Sequence, residues 1–220
     1  MPNLYKVVDL GTKRAGALDE FLRAGSMYFG DEVASIKPGD CLGYDYNGKY
    51  DREVRAKGYR FQGQDLTDRQ VLDALPAADY YLAWDFLEHL PSVEHSDRIL
   101  EVMLQRARVG VWLRMPSFEQ DMETGEGRLR AHGLRFAWTD WHGHKSHYTL
   151  AMARDVITAS GFGALKVKGN RLIETTGDRC VVPVSAPTDT VEYSAALGAR
   201  PKVAFSPPLV GQWEVIVSRK

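Results

Sequence analysis

Through its first half the sequence alternates short apolar runs with segments of helical periodicity, a rhythm that few architectures accommodate. Tyr5-Lys6-Val7-Val8-Asp9-Leu10 reads as a strand, and Ala17, Leu18, Phe21 and Leu22 mark the helix after it. Cys41-Leu42-Gly43-Tyr44-Asp45 is the next strand, and a charged helix over residues 48–57 stops at Gly58, before a strand over 59–62. A helix near 71–75 leads to a strand over 80–84, and a helix over 97–108 to a strand over 109–113. Five strands separated by helices predict a parallel sheet covered on both faces, because each crossover helix must bury its apolar stripe against the sheet.

The rhythm breaks over residues 116–148, where charge, glycine, histidine and tryptophan replace apolar periodicity; the segment reads as a long loop covering a site. Thr149 suits an N-cap, with Leu150, Ala153, Val156 and Ile157 on one helical face and Gly161 as the stop. Strands over 165–167 and 213–217 would close the sheet, leaving 175–208 as an insertion with room for a hairpin. One domain over 1–220 is expected, since 220 residues with 44% hydrophobic content suffice for one full core.

Lys and Arg number 28 against 29 Asp and Glu, so a net charge of -1 gives no general attraction to nucleic acid or anionic lipid. Cys41 and Cys180 form no CxxC pattern and no leader precedes the first apolar run, which predicts a cytoplasmic protein with inert thiols. No stretch reaches the about 18 apolar residues of a membrane span. Neither a Gly-x-Ser-x-Gly elbow nor a Walker loop occurs, which removes support for hydrolase and ATPase readings.

In an open parallel sheet ligands bind beyond the carboxyl ends of the strands, and three predicted ends carry carboxylates. Asp9-Leu10-Gly11-Thr12-Lys13-Arg14-Ala15-Gly16 has glycines that permit a tight turn and close approach to backbone N–H groups. Asp45 ends the second strand, where a carboxylate can accept both hydroxyl protons of a ribose. Gln64-Asp65-Leu66, after the third strand, is placed to edge an adenine ring.

Together with Asp85-Phe86-Leu87-Glu88-His89-Leu90-Pro91 after the fourth strand, these segments resemble the class I S-adenosylmethionine-dependent methyltransferases. The resemblance covers about residues 5 to 170 and 213–217, and includes Gly161-Phe162 before the final strand pair. It implies an α/β, Rossmann-like, seven-stranded and mostly parallel sheet with the last strand antiparallel. It also implies methyl transfer from S-adenosylmethionine to a small-molecule acceptor, with S-adenosylhomocysteine as product. By the same resemblance Asp9 and Gly11, with Thr12 and Gly16, would surround the methionine part of the cofactor. Asp45 and Tyr46 would hold the ribose, Asp65 and Leu66 border adenine, and Asp85 line the transfer site. The chain departs from the family pattern at Lys13 and Ala15, where further glycines are usual, with Gly16 one step late.

If the acceptor is a hydroxyl a base is useful, and His144, His142 and His89 are the candidates. His142-Gly143-His144 with His147 also has a spacing that suits a metal, but with no cysteine and no well-placed carboxylate beyond Asp140 no metal is assigned. Trp138 and Trp141 suit an acceptor pocket, and Arg128, Arg130 and Arg135 favour an anionic or hydroxylated acceptor. Two rivals remain: a non-catalytic binding or assembly protein on the same fold, and a nicotinamide-dependent oxidoreductase, against which the missing Gly-x-Gly-x-x-Gly counts. Oligomeric state is not legible.

Overall fold

A computed structural model describes residues 5–46 and 48–219; residues 1–4 and 220, at the ends of the expected domain, and Asn47 lie outside the described residues. Its strands are β1 (Tyr5–Leu10), β2 (Cys41–Asp45), β3 (Arg60–Gly63), β4 (Ala78–Trp84), β5 (Ala107–Pro116), β6 (Leu134–Phe136), β7 (Ala164–Thr175), β8 (Val181–Pro183) and β9 (Ala204–Ser218). Its helices are α1 (Gly16–Ala24), α2 (Ser26–Phe29), α3 (Asp51–Ala56), α4 (Arg69–Asp73), α5 (Val93–Arg106), α6 (Gly127–Arg130) and α7 (Leu150–Ala159).

Seven strands form one sheet in the order β3-β2-β1-β4-β5-β9-β7. The first five run parallel, and β9 is antiparallel to both neighbours. This is the seven-stranded sheet expected from the sequence. The chain returns from β7 to β9 through β8, and the two long strands pair as an antiparallel ribbon. Alternation within each strand divides the core between the two faces. Val8 and Leu10 lie with Tyr81 and Leu113 against Leu100 and Met103 of α5 and Ala153 and Ile157 of α7. Val7 lies with Tyr80, Leu82 and Trp112 against Leu18 and Phe21 of α1. Each such fully buried side chain contributes about 1.5–3 kcal/mol.

Some boundaries move. The helix expected over 97–108 begins at Val93, after Pro91-Ser92, and ends at Arg106, because Ala107 is already paired with Ala78 in the sheet. The charged helix expected over 48–57 is confined to Asp51–Ala56, with Gly48 in the turn that starts it.

The largest difference lies in the second half. The closing strands, read as 165–167 and 213–217, extend to twelve and fifteen residues. Their outer pairs, Leu172 with Val210 and Thr175 with Ala204, carry the ribbon beyond the sheet. Residues 116–148, expected as a loop, contain α6 and β6, and β6 pairs antiparallel with β8 from the 175–208 segment. Leu129, Leu134, Phe136, Ile173, Val181 and Leu209 form a separate apolar cluster, so the two segments fold together on the ribbon.

Arg135 ties this unit. It is 0% exposed. It donates to the carbonyls of Phe136 and Ala186, both at 3.0 Å, and pairs with Asp140 at 3.0 Å. Arg130 pairs with buried Glu126 at 2.6 Å, and Arg128 donates to the carbonyls of Glu123 and Pro207, each at 2.8 Å. Of the three arginines Arg135 is withdrawn from the surface, because a guanidinium taken out of water must find acceptors within the fold, whereas Arg128 and Arg130 stay in part exposed beside theirs. Among the described residues no helix is long and apolar enough to cross a membrane.

Candidate active site

The sheet order reverses direction between β1 and β4, and the crevice outside their carboxyl ends is where such folds bind ligands. The β1 loop is drawn across it by two hydrogen bonds, from the N–H groups of Gly11 and Thr12 to the carbonyl of Tyr44, both 2.9 Å. Gly11 has φ +76°, and a Cβ there would lie 2.6 Å from Cδ2 of Phe86, so both backbone and space require glycine. Lys13 and Ala15 have φ of 44° and 63°, left-handed values at the two positions where glycine would be unstrained. The loop thus takes a glycine-rich path with non-glycine residues. Gly16 instead opens α1, with no heavy atom within 4 Å of a Cβ built there.

Asp45 locks the loop to β2, its Oδ2 accepting from the Lys13 N–H at 2.9 Å and its Oδ1 from the Tyr46 N–H at 2.8 Å. Asp65 accepts from the Thr67 N–H at 2.9 Å and hydroxyl at 2.7 Å, fixing the turn after β3. Asp85 has φ +48°, and its carboxylate accepts from Arg114 at 2.9 Å and Gln212 at 2.7 Å. Strain of this kind is held only where the surroundings over-determine it. Asp9 lies beneath the loop, 1% exposed, with neither carboxylate oxygen hydrogen-bonded. Burial pushes its pKa well above the usual carboxylate value.

A cavity of about 580 Å³ gathers Gly11, Asp45, Tyr46, Asp65, Leu66, Asp85 and His89. A second, of about 310 Å³, is lined by Glu88, His89, Trp138 and His144 and by Arg171 and Gln212 from the ribbon. The two share Lys13, Asp85, His89 and Trp141, so they meet at the end of β4. Thr12 and Gly16 line a different hollow, of about 540 Å³, on the α1 side. His142 is exposed and outside both site cavities, and His147 stacks on Phe118 with centroids 4.8 Å apart.

His89 and His144 come together across 55 positions of sequence because the covering segment is stitched to the turn after β4. The N–H groups of Lys145 and Ser146 donate to the carbonyl of Glu88 at 2.9 and 3.1 Å, and the Ser96 and Ser146 hydroxyls are hydrogen-bonded at 2.9 Å. The ring centroids of His89 and His144 are 5.0 Å apart. Nδ1 of His89 meets the carbonyl of Gly143 and Nδ1 of His144 that of Trp138, each at 2.9 Å. A carbonyl only accepts, so each Nδ1 carries the proton and each neutral ring keeps its lone pair on Nε2. Burial lowers the pKa of His89 and pushes that of His144 down to about 4. Beside them Glu88 is 2% exposed, its Oε2 without a partner, and burial pushes its carboxyl up to about 8.

Several lining residues were missed or undervalued by sequence reasoning. Glu88 stood in the 85–91 run with no role assigned to it; its burial was the missing signal. Lys13 stood out only as a departure from the family pattern, and nothing local in the sequence marks Arg171 or Gln212, which reach the site only through the ribbon. Cys41 is buried and its thiol is pushed up to about 12 by that burial, in keeping with an unreactive role.

No family model and no curated protein matches the chain in sequence. Solved structures match its fold. A SAM-dependent methyltransferase from Archaeoglobus fulgidus superposes with a TM-score of 0.60 at 14% identity, over 98% of this chain and 86% of that one. An O-methyltransferase family protein from Burkholderia thailandensis gives 0.55 at 10% identity, over 98% of this chain and 51% of that longer one. Magnesium protoporphyrin IX methyltransferase from Synechocystis with bound S-adenosylhomocysteine gives 0.50 at 14%, over 99% and 75%. The chain therefore has the fold of the class I S-adenosylmethionine-dependent methyltransferases.

Proposed function

We propose that this protein binds S-adenosylmethionine in the larger cavity and transfers its methyl group to a small-molecule acceptor in the smaller one. The observation that carries the reading is the convergence of Gly11, Asp45, Asp65, Leu66 and Asp85, from four successive strand ends, on one 580 Å³ cavity. In this reading Asp45 accepts the ribose hydroxyls, Asp65 and Leu66 border adenine, and the Gly11 turn lets the methionine portion approach the backbone. Transfer is an in-line displacement, for which alignment and exclusion of water are the main requirements. Lys13, Asp85, His89 and Trp141, common to both cavities, surround the transfer point. His89 and His144 each offer an Nε2 lone pair to an acceptor hydroxyl, whereas His142 is exposed and lines neither cavity.

Calorimetric titration with S-adenosylhomocysteine is the test. Saturable one-site binding, weakened by substitution of Asp45, is the expected result. A flat titration with properly folded protein would favour the non-catalytic alternative, for which Lys13 and Ala15 in the left-handed loop are the specific structural argument.

A further inference from the structure

The geometry points to a divalent transition-metal site formed by Glu88, His89 and His144 at the seam between the two cavities. One oxygen of Glu88 and one nitrogen from each ring lie within 4.8 Å of one another. Three features make this more than proximity. Both rings have Nδ1 fixed on backbone carbonyls, the outer contact that orients a ligating imidazole and leaves Nε2 free to coordinate. Oε2 of Glu88 is buried without a hydrogen-bond partner, which a carboxylate tolerates badly unless a cation meets it. The three acceptors line one cavity, and no hydrogen bond links them to each other.

Two imidazoles and one carboxylate suit first-row ions such as Zn²⁺, Co²⁺ or Fe²⁺ better than Mg²⁺ or Ca²⁺, which prefer oxygen. Tetrahedral ligation at about 2.1 Å sets ligand atoms about 3.4 Å apart, so an ion would draw these side chains inward. Three protein ligands leave a coordination position open toward the cavity, as in catalytic rather than structural sites. Trp138 and Trp141 form its walls. Asp85, engaged by Arg114 and Gln212, lines the same cavity and adds negative charge beside Glu88. The sequence pattern of His142, His144 and His147 suggested a different grouping; the fold keeps only His144 from it and supplies the missing carboxylate from the β4 turn.

The role of the ion rests on the methyltransferase reading. With the ion bound, the Nε2 lone pairs serve as ligands instead of bases, and an acceptor hydroxyl on the open position releases its proton to water; its oxygen pair forms the bond to the methyl carbon while the carbon–sulfur pair returns to sulfur. The products are the methyl ether, S-adenosylhomocysteine and one proton.

The test uses the whole chain, stripped with a chelator and titrated with Co²⁺ in the absence of cofactor, following the visible d–d absorption and, in parallel, heat. One saturable equivalent is expected. Glu88→Gln, His89→Gln and His144→Gln should each weaken it at least about tenfold, whereas His142→Ala should not. Thermal melts verify that each variant is folded, and Zn²⁺ should displace the Co²⁺ signal. Absence of a saturable site, or a site that survives all three substitutions in folded protein, overturns the proposal. Because no cofactor is present, that result is separable from a failure to bind S-adenosylhomocysteine.

Discussion

Replacing Gly11 by alanine gives the β1 loop a methyl group in a place where backbone and packing both resist it. At φ +76° an L-residue costs about 1–2 kcal/mol. The new Cβ would stand 2.6, 2.8 and 2.9 Å from Cδ2, Cγ and Cβ of Phe86, well inside ordinary contact. Overpacking of that kind costs about 1–3 kcal/mol, so Gly11→Ala should destabilise the protein by about 2–5 kcal/mol. Phe86 lines the larger cavity, and its displacement should also weaken S-adenosylhomocysteine binding. The two causes separate in a double-mutant cycle with Phe86→Ala, which removes the two closest contacts and keeps the Cβ contact at 2.9 Å. The double variant should therefore be more stable than the sum of the single losses by about 1–2 kcal/mol, while the backbone cost persists. Urea unfolding measures the cycle, and calorimetry reads binding in the same four proteins. Strict additivity, or a Gly11→Ala protein with wild-type stability and affinity, would refute the reasoning.

Asp9 has a folded-state pKa raised by burial, so its contribution to stability is full below the unfolded value of about 3.9 and is lost as pH rises through the folded value. Asp9→Asn should accordingly gain melting temperature relative to wild type between pH 4 and pH 8; an equal difference at both would mean that the carboxyl is not held protonated. Asp45→Ala should raise the S-adenosylhomocysteine dissociation constant more than tenfold, from loss of about 1.5–3 kcal/mol of charge-assisted bonding, with a smaller stability loss from the Lys13 N–H. Equal losses in calorimetry and denaturation would make Asp45 a loop anchor alone. Arg135→Met takes the guanidinium donors from the buried carbonyls of Phe136 and Ala186 and leaves Asp140 to Arg130 and solvent, and should cost about 1–3 kcal/mol. Hydrogen exchange should rise first across β6 and β8, and uniform exchange would show that Arg135 does not tie them.

The parallel half of this protein was legible in its sequence. Strands β1 to β5 are short runs separated by helices, which makes them parallel and puts their carboxyl ends on one edge, so Gly11, Asp45, Asp65 and Asp85 were legible as a group. The signal is local: periodicity, a turn glycine and a carboxylate at each end. The covering half was not legible in this way, because it is built from contacts between distant segments. The pairing of β6 with β8 joins residues nearly fifty positions apart through three-residue strands too short to announce themselves. The length of the β7–β9 ribbon depends on the apolar cluster it supports, not on its own alternation. Arg135 and Glu88 show the same limit at single residues: a charged side chain in sequence is assigned to the surface, and nothing local says that the fold will bury one among carbonyls and the other beside two histidines. Burial is a property of what packs from elsewhere in the chain, so the carboxylate that gives the histidine pair its third partner became visible only when the β4 turn and the covering segment were in place.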